Sequence, residues 1–199
     1  MAWTCLTRND YVTTAWSGGT TTQLGIAPEG AVYADRDFLW RLSSAKVELE
    51  HSDFTALPDY VRLISVLDGK LDMRVGDEDR ISLAPLTVRS FDGATPVESW
   101  GRCTDFNLML RKGRSQGSVQ SLRMEAGSVC DWTAPVPAPQ EYPHCTTALY
   151  CVSGSLRLPE EGVSASAGEL LLCREAGCGA VRLESREGAA LMAAVIYSR

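Results

Sequence analysis

Short apolar runs and turn residues alternate along this chain, with a turn about every ten residues. Residues 61–67 form an almost continuous apolar run, and residues 44–49 alternate between apolar and polar positions. Glycine, proline or aspartate closes most of these runs. Alternation of this kind is typical of a strand with one buried face, and no long amphipathic helical pattern is found. The pattern therefore predicts an all-β sandwich or barrel.

One strand–turn–strand pattern occurs twice. Residues 61–71 read VRLISVLDGKL and residues 147–156 read TALYCVSGSL, so each has an apolar run, a glycine and a returning strand that begins at Leu. The two glycines, Gly69 and Gly154, are 154 − 69 = 85 residues apart. A repeat of this size predicts a duplicated jelly roll, with one β-barrel unit in residues 1–118 and a second in residues 119–199.

Three strand-like segments carry polar side chains that a purely structural core does not need. They read WSGGTTTQL at residues 16–24, FLWRLSSA at residues 38–45 and DFNLMLRKG at residues 105–113. Arg, Gln, Asp and Asn are costly to bury unless another group pairs with them. Because the segments are far apart in sequence, we expect the fold to assemble them around one polar pocket in the first unit.

Arg41 has two interpretations. On a strand it shares a face with Ser43 and Ala45, which places a guanidinium on an otherwise apolar face. It could form a structural ion pair, with Asp105 or Asp53 as its partner. It could also clamp the carboxylate of a ligand, which suits its planar fork of donors. The sequence favours neither interpretation over the other.

The other candidates lie in or near the same segments. Asp105 and Asn107 alternate with apolar residues and could anchor a polar network or bind a ligand. The glycine pair after Trp16 permits a close approach of the backbone. Arg62 is a second candidate cation, with an exposed surface charge as its alternative. The predicted ligand-binding residues are Trp16, Thr20, Thr22, Gln23, Trp40, Arg41, Ser43, Arg62, Asp105 and Asn107.

Histidine spacing does not indicate a metal centre. The two histidines, His51 and His144, are 144 − 51 = 93 residues apart. A transition-metal site needs several imidazoles and carboxylates that converge on one ion. We therefore expect no metal and no cofactor, and we expect His51 to be an exposed turn residue. No catalytic residue is predicted either, because there is no G-x-S-x-G motif and neither histidine is paired with a Ser or Cys by any known spacing.

Charge and cysteine content limit the partners and the compartment. Lys and Arg number 19 and Asp and Glu number 25, giving a net charge of −6 with no basic run. Such a chain is a poor candidate for binding nucleic acid or an anionic membrane.

The first residues lack a signal-peptide pattern, and the apolar stretches are too short to span a bilayer. Seven cysteines without a C-x-x-C pair predict no disulfide framework and a cytoplasmic location.

Five motifs follow one another in the first 115 residues. They are WSGGTTTQL, WRLSSA at residues 40–45, DFTALPDYVR at residues 53–62, FDG at residues 91–93 and DFNLMLRKG. In order and spacing they resemble the HutD/Ves family of bicupins. The resemblance implies an all-β fold of two cupin-like jelly rolls in one compact chain. It also implies a link, in some bacteria, to histidine-utilisation operons, in which members act as accessory or regulatory ligand binders.

The functional prediction combines the residues with this resemblance. We expect a metal-independent, cytoplasmic protein that binds a small polar metabolite bearing a carboxylate, in an accessory or regulatory role. The alternative is an enzyme, namely a cofactor-independent isomerase or hydrolase that acts on a small polar acid. A third hypothesis is a purely structural β-protein. The sequence does not determine the oligomeric state, and a homodimer is compatible with it.

Overall fold

The computed structural model describes residues 3–134, 140–174 and 180–199. This part of the chain is almost entirely strand, with one turn of 3-10 helix at Tyr33–Asp35, and it confirms the all-β prediction. The strands are β1 (Trp3–Leu6), β2 (Val12–Trp16), β3 (Gly19–Ala27), β4 (Trp40–Val47), β5 (His51–Asp53), β6 (Tyr60–Gly69), β7 (Leu71–Val75), β8 (Ile81–Leu83), β9 (Val88–Asp92), β10 (Val97–Trp100), β11 (Cys103–Arg111), β12 (Ser115–Met124), β13 (Ser128–Trp132), β14 (His144–Leu158), β15 (Val163–Ser166), β16 (Leu170–Cys173), β17 (Val181–Ser185) and β18 (Ala189–Ser198).

The chain divides into two compact units. Tyr11–Gly113 form the first, here called the N-terminal unit, and the residues up to Asp10 together with Arg114–Arg199 form the C-terminal unit. The first strand belongs to the C-terminal unit because β1 pairs with β16, with Trp3 opposite Cys173. Local sequence patterns do not report this pairing, since it joins residues 173 − 3 = 170 positions apart.

Two antiparallel sheets build the N-terminal unit. The first has the strand order β2-β3-β4-β11-β6-β9, and the second has the order β5-β10-β7-β8. One cluster of buried apolar residues contains Ile64 and Val66 of the first sheet and Leu71 and Met73 of the second. Ile64 and Val66 are two positions apart and thus lie on the same face of β6. The two sheets therefore pack against each other over this cluster.

The C-terminal unit is built around the long strand β14. The path of its sheet is β1-β16-β14-β17-β13; β15 and β18 also pair with β14, and β12 pairs with β18. Every residue of β18 is buried. Leu149, Leu171 and Leu191 belong to the main apolar cluster of this unit. The unit thus has an ordinary hydrophobic core.

Gly69 and Gly154, the two glycines of the sequence repeat, occupy similar positions in their units. Both have positive φ, 86° for Gly69 and 74° for Gly154. A Cβ on Gly69 would lie 2.4 Å from the Arg102 carbonyl oxygen, and a Cβ on Gly154 would lie 1.9 Å from the Gly188 carbonyl oxygen. Both positions therefore require glycine, for backbone conformation and for the close approach of the next strand.

The cysteines add one feature to the sequence analysis. Cys145 is disulfide-bonded, although no disulfide framework was predicted. Cys5, Cys103, Cys130, Cys151 and Cys173 are free. Among the described residues, no helix has the length and apolar character needed to cross a membrane.

Candidate functional site

A cavity of about 580 Å³ lies in the N-terminal unit. Residues of β2, β3, β4, β6 and β11 line it, together with the 3-10 turn region and residues 52–55. One wall is the inward face of three neighbouring strands, β4, β11 and β6. Two of the polar segments noted in the sequence supply most of β4 and β11, and the third supplies the last residue of β2 and the first part of β3.

Strand register places the polar side chains of this wall in rows. Met109 of β11 lies opposite Arg41 of β4 on one side and opposite Arg62 of β6 on the other. In the next row along β11, Asn107 lies opposite Ser43. Because side chains two residues apart point to the same face of a strand, these rows all face the cavity. The fold thus places two arginines in one wall, with Met109 between them.

Arg41 is buried and held by neutral groups. Its Nε donates to Gln23 Oε1 at 2.9 Å and its Nη1 donates to Ser43 Oγ at 3.3 Å. Its guanidinium carbon lies 4.2 Å from the centre of the Tyr33 ring. Burial lowers the pKa of the guanidinium. Within the described chain no carboxylate oxygen lies within 4.0 Å of it, so the ion pair considered from the sequence is not formed.

Arg62 is also buried, with 7% of its surface exposed. Its Nη1 donates to the Thr55 carbonyl oxygen at 3.4 Å, whereas its Nε has no hydrogen-bond partner in the described part of the chain. Phe54 and Phe91 pack against the guanidinium at 4.8 and 5.3 Å from the ring centres. Desolvation lowers its pKa to about 10, so the group still carries its charge at neutral pH.

Arg36 is a third cation of the cavity, and the sequence did not reveal it. It follows the 3-10 turn with φ of 54°, in the left-handed region that non-glycine residues rarely adopt. Its guanidinium lies 3.9 Å from the centre of the Tyr33 ring, and its buried Nη1 finds no hydrogen-bond partner among the residues that the structure describes. The Tyr60 hydroxyl fixes this segment by donating to the carbonyl oxygens of Arg36 and Phe38, each at 3.0 Å.

Two acceptors face the same cavity. Asp105 is 6% exposed, and its Oδ1 accepts the Ala45 amide hydrogen at 3.0 Å. Burial raises its pKa to about 6, although the Ala45 amide and the charges of Arg62 and Arg41 act in the opposite direction. Asn107 is 4% exposed, and its Oδ1 has no hydrogen-bond partner among the described residues. Three residues that line the cavity, Arg36, Arg62 and Asn107, thus each have one buried polar atom without a partner in the described part of the chain.

The predicted ligand-binding residues divide into three groups. The residues that line the cavity are Trp16, Arg41, Ser43, Arg62, Asp105 and Asn107. Gln23 does not line it but holds Arg41. Thr20, Thr22 and Trp40 need correction, because none of them lines the cavity. Residues adjacent on a strand point to opposite faces, so Thr21 faces the cavity in place of its two neighbours, and Trp40 lies behind Arg41 at 1% exposure.

An exposed group of possible metal ligands lies at the pairing of β5 with β10. His51, Asp53 and Glu98 each offer a ligand atom within 4.8 Å of the others. Strand register creates this group. Glu98 of β10 lies opposite Asp53 of β5, and His51 is two residues from Asp53 on the same face of β5. His51 is thus a strand residue and not the expected turn residue. Glu98 is already paired with Arg74, and the absence of a metal stays a prediction.

Comparison with known proteins identifies the family. The profile of the HutD family matches residues 8–193. The chain belongs to the HutD family. No curated protein matches it.

Solved structures extend the similarity to the whole chain. A conserved protein of unknown function from Pseudomonas aeruginosa PAO1 is 26% identical, with 100% of both chains covered and a TM-score of 0.80. HutD from Pseudomonas fluorescens SBW25 is 22% identical, with 100% of both chains covered and a TM-score of 0.77. The bacterial pirin YhhW from Escherichia coli, solved in complex with nickel(II), is 8% identical, with 98% of both chains covered and a TM-score of 0.67. These neighbours show a cupin-type all-β fold for the HutD-family chain.

The buried carboxyl of Asp105 gives the HutD-family protein a predictable pH dependence. Between about pH 4 and pH 6 the folded chain holds a proton on Asp105 that the unfolded chain has released. The free energy of unfolding should therefore fall as pH rises through this range. Asp105→Asn should remove this slope and raise stability at neutral pH by about 1–3 kcal/mol. Urea unfolding at both ends of the range measures the effect.

A matched variant serves as the control for this prediction. Asp79 is an exposed aspartate of the same unit, and Asp79→Asn should leave the wild-type slope in place. A wild-type slope that persists unchanged in Asp105→Asn would show that Asp105 does not cause it.

Proposed function

We propose that this HutD-family protein binds a small carboxylate metabolite in the cavity of the N-terminal unit, without a metal, and acts as an accessory or regulatory binder. Arg41 and Arg62 carry this proposal, because both guanidinium groups are buried in the cavity wall and, among the described residues, no carboxylate oxygen lies within 4.0 Å of either. Buried charges are costly unless a partner of opposite charge compensates them. A ligand carboxylate would supply that partner and accept the planar fork of donors.

The charge balance of the cavity supports an anionic ligand. Arg36, Arg41 and Arg62 line it with three guanidinium groups, against the nearby carboxylate of Asp105. At neutral pH Asp105 is ionised, because its pKa is about 6. An excess of positive charge therefore remains in this part of the cavity. A formate condition is named for the Pseudomonas fluorescens HutD structure, and formate is the smallest carboxylate with which to probe this chain.

The enzyme alternative rests on Asp105. A buried carboxyl whose pKa is raised to about 6 could accept a proton from a bound acid at neutral pH. This is the observation that keeps a cofactor-independent isomerase or hydrolase as the second candidate function. Asp105→Asn separates the two functions, because a binder keeps or gains affinity for an anionic ligand when this negative charge is removed, whereas an enzyme that uses this base loses turnover.

The proposal includes a duplicated, bicupin architecture. In the N-terminal unit β11 pairs with β4 and β6, and in the C-terminal unit β18 pairs with β12 and β14 in the same way. The two repeat glycines add a second correspondence. The backbone amide of Lys70, which follows Gly69, donates to the Arg102 carbonyl oxygen at 3.0 Å. The backbone amide of Ser155, which follows Gly154, donates to the Gly188 carbonyl oxygen at 3.4 Å. Both observations support two copies of one structural unit.

The biological context is also part of the proposal. We place the protein in the cytoplasm and link it to histidine utilisation, which the family resemblance implies. The disulfide at Cys145 makes the compartment worth a direct measurement, since disulfides are rare in a reducing cytoplasm. Cell fractionation with thiol labelling would determine both the location and the redox state of this cysteine.

Calorimetric titration with small acids tests carboxylate binding. Formate, acetate and propionate should bind to the wild type, whereas acetamide, which has the shape of acetate without its charge, should not. Arg41→Lys keeps the charge but loses the fork of donors, so affinity should fall about ten-fold while the fold is unchanged.

Arg102→Lys is the matched control, because this exposed arginine pairs with Glu50 outside the cavity. It should bind all three acids as the wild type does. Failure of every carboxylate to bind, or equal affinity in a folded Arg41→Lys, would rule out the proposed function.

A further inference from the structure

One edge of the first sheet of the N-terminal unit is formed by β2. This strand lies at the end of the strand order, and within the described chain it pairs only with β3. All five of its residues are exposed. The outer edge of β2 therefore presents backbone N–H and C=O groups with which a further strand can pair.

The features that protect most edge strands are missing from β2. Proteins commonly block such edges with charged side chains, with proline or with a β-bulge. Val12–Trp16 reads VTTAW, without a charge or a proline, and its pairing with β3 has no shift of register. At the opposite edge of the same sheet, β9 contains Arg89 and Asp92, which form ion pairs with Glu78 and Lys112. One edge of this sheet thus carries charges, and the other does not.

The sequence of β2 is complementary to itself under a two-fold rotation. When two copies of the strand pair antiparallel with Thr14 at the axis, Val12 of one copy lies opposite Trp16 of the other, and Thr13 lies opposite Ala15. Val12 is 61% exposed and Trp16 is 40% exposed, although both are apolar. An aromatic side chain opposite a β-branched one is a stabilising cross-strand pair. This register therefore covers the exposed apolar residue at each end of the strand.

The residues that flank β2 favour the same register. With Thr14 at the axis, Asp10 lies opposite Gly18, so no like charges meet. If the axis moved by one residue along the strand, Trp16 would instead lie opposite Asp10 or opposite Thr14. Neither of these pairs is apolar, and neither covers Val12 with Trp16. The register centred on Thr14 is thus the one that matches side chains of similar polarity.

We propose that two copies of this chain form a homodimer through β2, antiparallel and with Thr14 at the two-fold axis, so that their sheets become one. An axis perpendicular to the sheet keeps the same face of both copies on one side. Thr14 and Trp16 line the cavity, so the partner's Val12 lies beside Trp16 at the cavity wall. A pair of five-residue strands is a small contact, and we therefore expect a weak dimer whose population rises with protein concentration.

Sedimentation of the purified full chain at a series of concentrations tests the dimer. The wild type should show an equilibrium between monomer and dimer. Thr14→Lys places two ammonium groups directly opposite each other at the axis, so the dissociation constant of the dimer should rise about ten-fold or more. Val129→Lys is the matched control, since Val129 is an exposed apolar residue of a different strand, β13. It should leave the equilibrium unchanged.

Disulfide cross-linking tests the register. Cys130→Ser first removes an exposed native thiol. In that background Thr14→Cys should yield a covalent dimer on oxidation, because the two new thiols face each other at the axis. Val12→Cys is the control. In the proposed register its two new thiols are separated by four residues along the strands, about 13 Å, which is too far for a disulfide.

Three results would overturn the proposal. The first is a wild type that stays monomeric at every concentration up to about 1 mM. The second is a dimer that persists in Thr14→Lys or is lost instead in Val129→Lys, since the interface would then lie elsewhere. The third is equal cross-linking of Thr14→Cys and Val12→Cys, which would rule out this register and the proposal with it. Circular dichroism confirms that each variant is folded, and all the substituted positions are exposed.

Discussion

Replacing Arg62 by Met should weaken carboxylate binding about 100-fold or more, and the ligand-free protein should be at least as stable as the wild type. Among the described residues Arg62 Nε has no hydrogen-bond partner, and the residue is 7% exposed. Burial lowers its pKa to about 10 even though the charge of Asp105 acts in the opposite direction, so the charged group opposes folding in the absence of a ligand. Met retains an unbranched apolar stem to pack against Phe54 and Phe91.

Opposite changes in affinity and stability distinguish a ligand-binding arginine from a structural one. Titration with formate and acetate measures the first, and urea unfolding without ligand measures the second. Arg102→Met is the matched control, since Arg102 pairs with Glu50 at the surface and should affect neither quantity appreciably. A folded Arg62→Met that binds acids normally would remove Arg62 from the site. A clear loss of stability would instead show that its contacts with Thr55 and the two phenylalanines are structural.

Gly154→Ala should destabilise the protein by about 4 kcal/mol or more, or prevent folding. The new Cβ would lie 1.9 Å from the Gly188 carbonyl oxygen and 3.1 Å from the Ala189 Cα, so two paired strands would have to separate. The backbone is also left-handed at this position, with φ of 74°. Thermal and urea unfolding of the purified variant measure the loss.

Gly162→Ala separates the two causes of this loss. Gly162 lies in the same unit with nearly the same φ, 70°, but a Cβ there meets no atom within 4 Å. Gly162→Ala should therefore lower the free energy of unfolding only by the strain of a left-handed alanine, about 1–2 kcal/mol. Gly69→Ala, whose Cβ would lie 2.4 Å from the Arg102 carbonyl oxygen, should behave like Gly154→Ala if the units are copies of one another. Similar losses at Gly162 and Gly154 would show that the strand contact is not the cause.

The polar segments of the sequence were enough to predict most of the cavity wall. Arg41 and Ser43 on β4 are two residues apart and so share a face of that strand, as do Asp105 and Asn107 on β11, and burial on that face follows from their apolar neighbours. Thr20, Thr22 and Trp40 were assigned wrongly for the same reason, because membership of a polar segment does not decide which face a residue occupies. If the alternation along a strand is assigned one residue out of step, every side chain is placed on the opposite face of the sheet.

Arg36 and the His51 group could not be predicted from local patterns. Arg36 lies outside the strands, and its position depends on a left-handed backbone and on two hydrogen bonds from the Tyr60 hydroxyl. His51 and Glu98 come together only through the pairing of β5 with β10. Neither arrangement leaves a periodic signal in the sequence.

By itself the sequence determined the all-β class, the family and the presence of buried cations in an otherwise apolar strand, because alternation and turn residues are local properties. The tertiary structure alone decided which charges meet. It placed Arg41 and Arg62 on either side of Met109, with no carboxylate oxygen of the described residues within 4.0 Å of either guanidinium group. Those relations depend on cross-strand register and burial, which bring together residues far apart in the chain, and they are the features on which the proposed ligand chemistry depends.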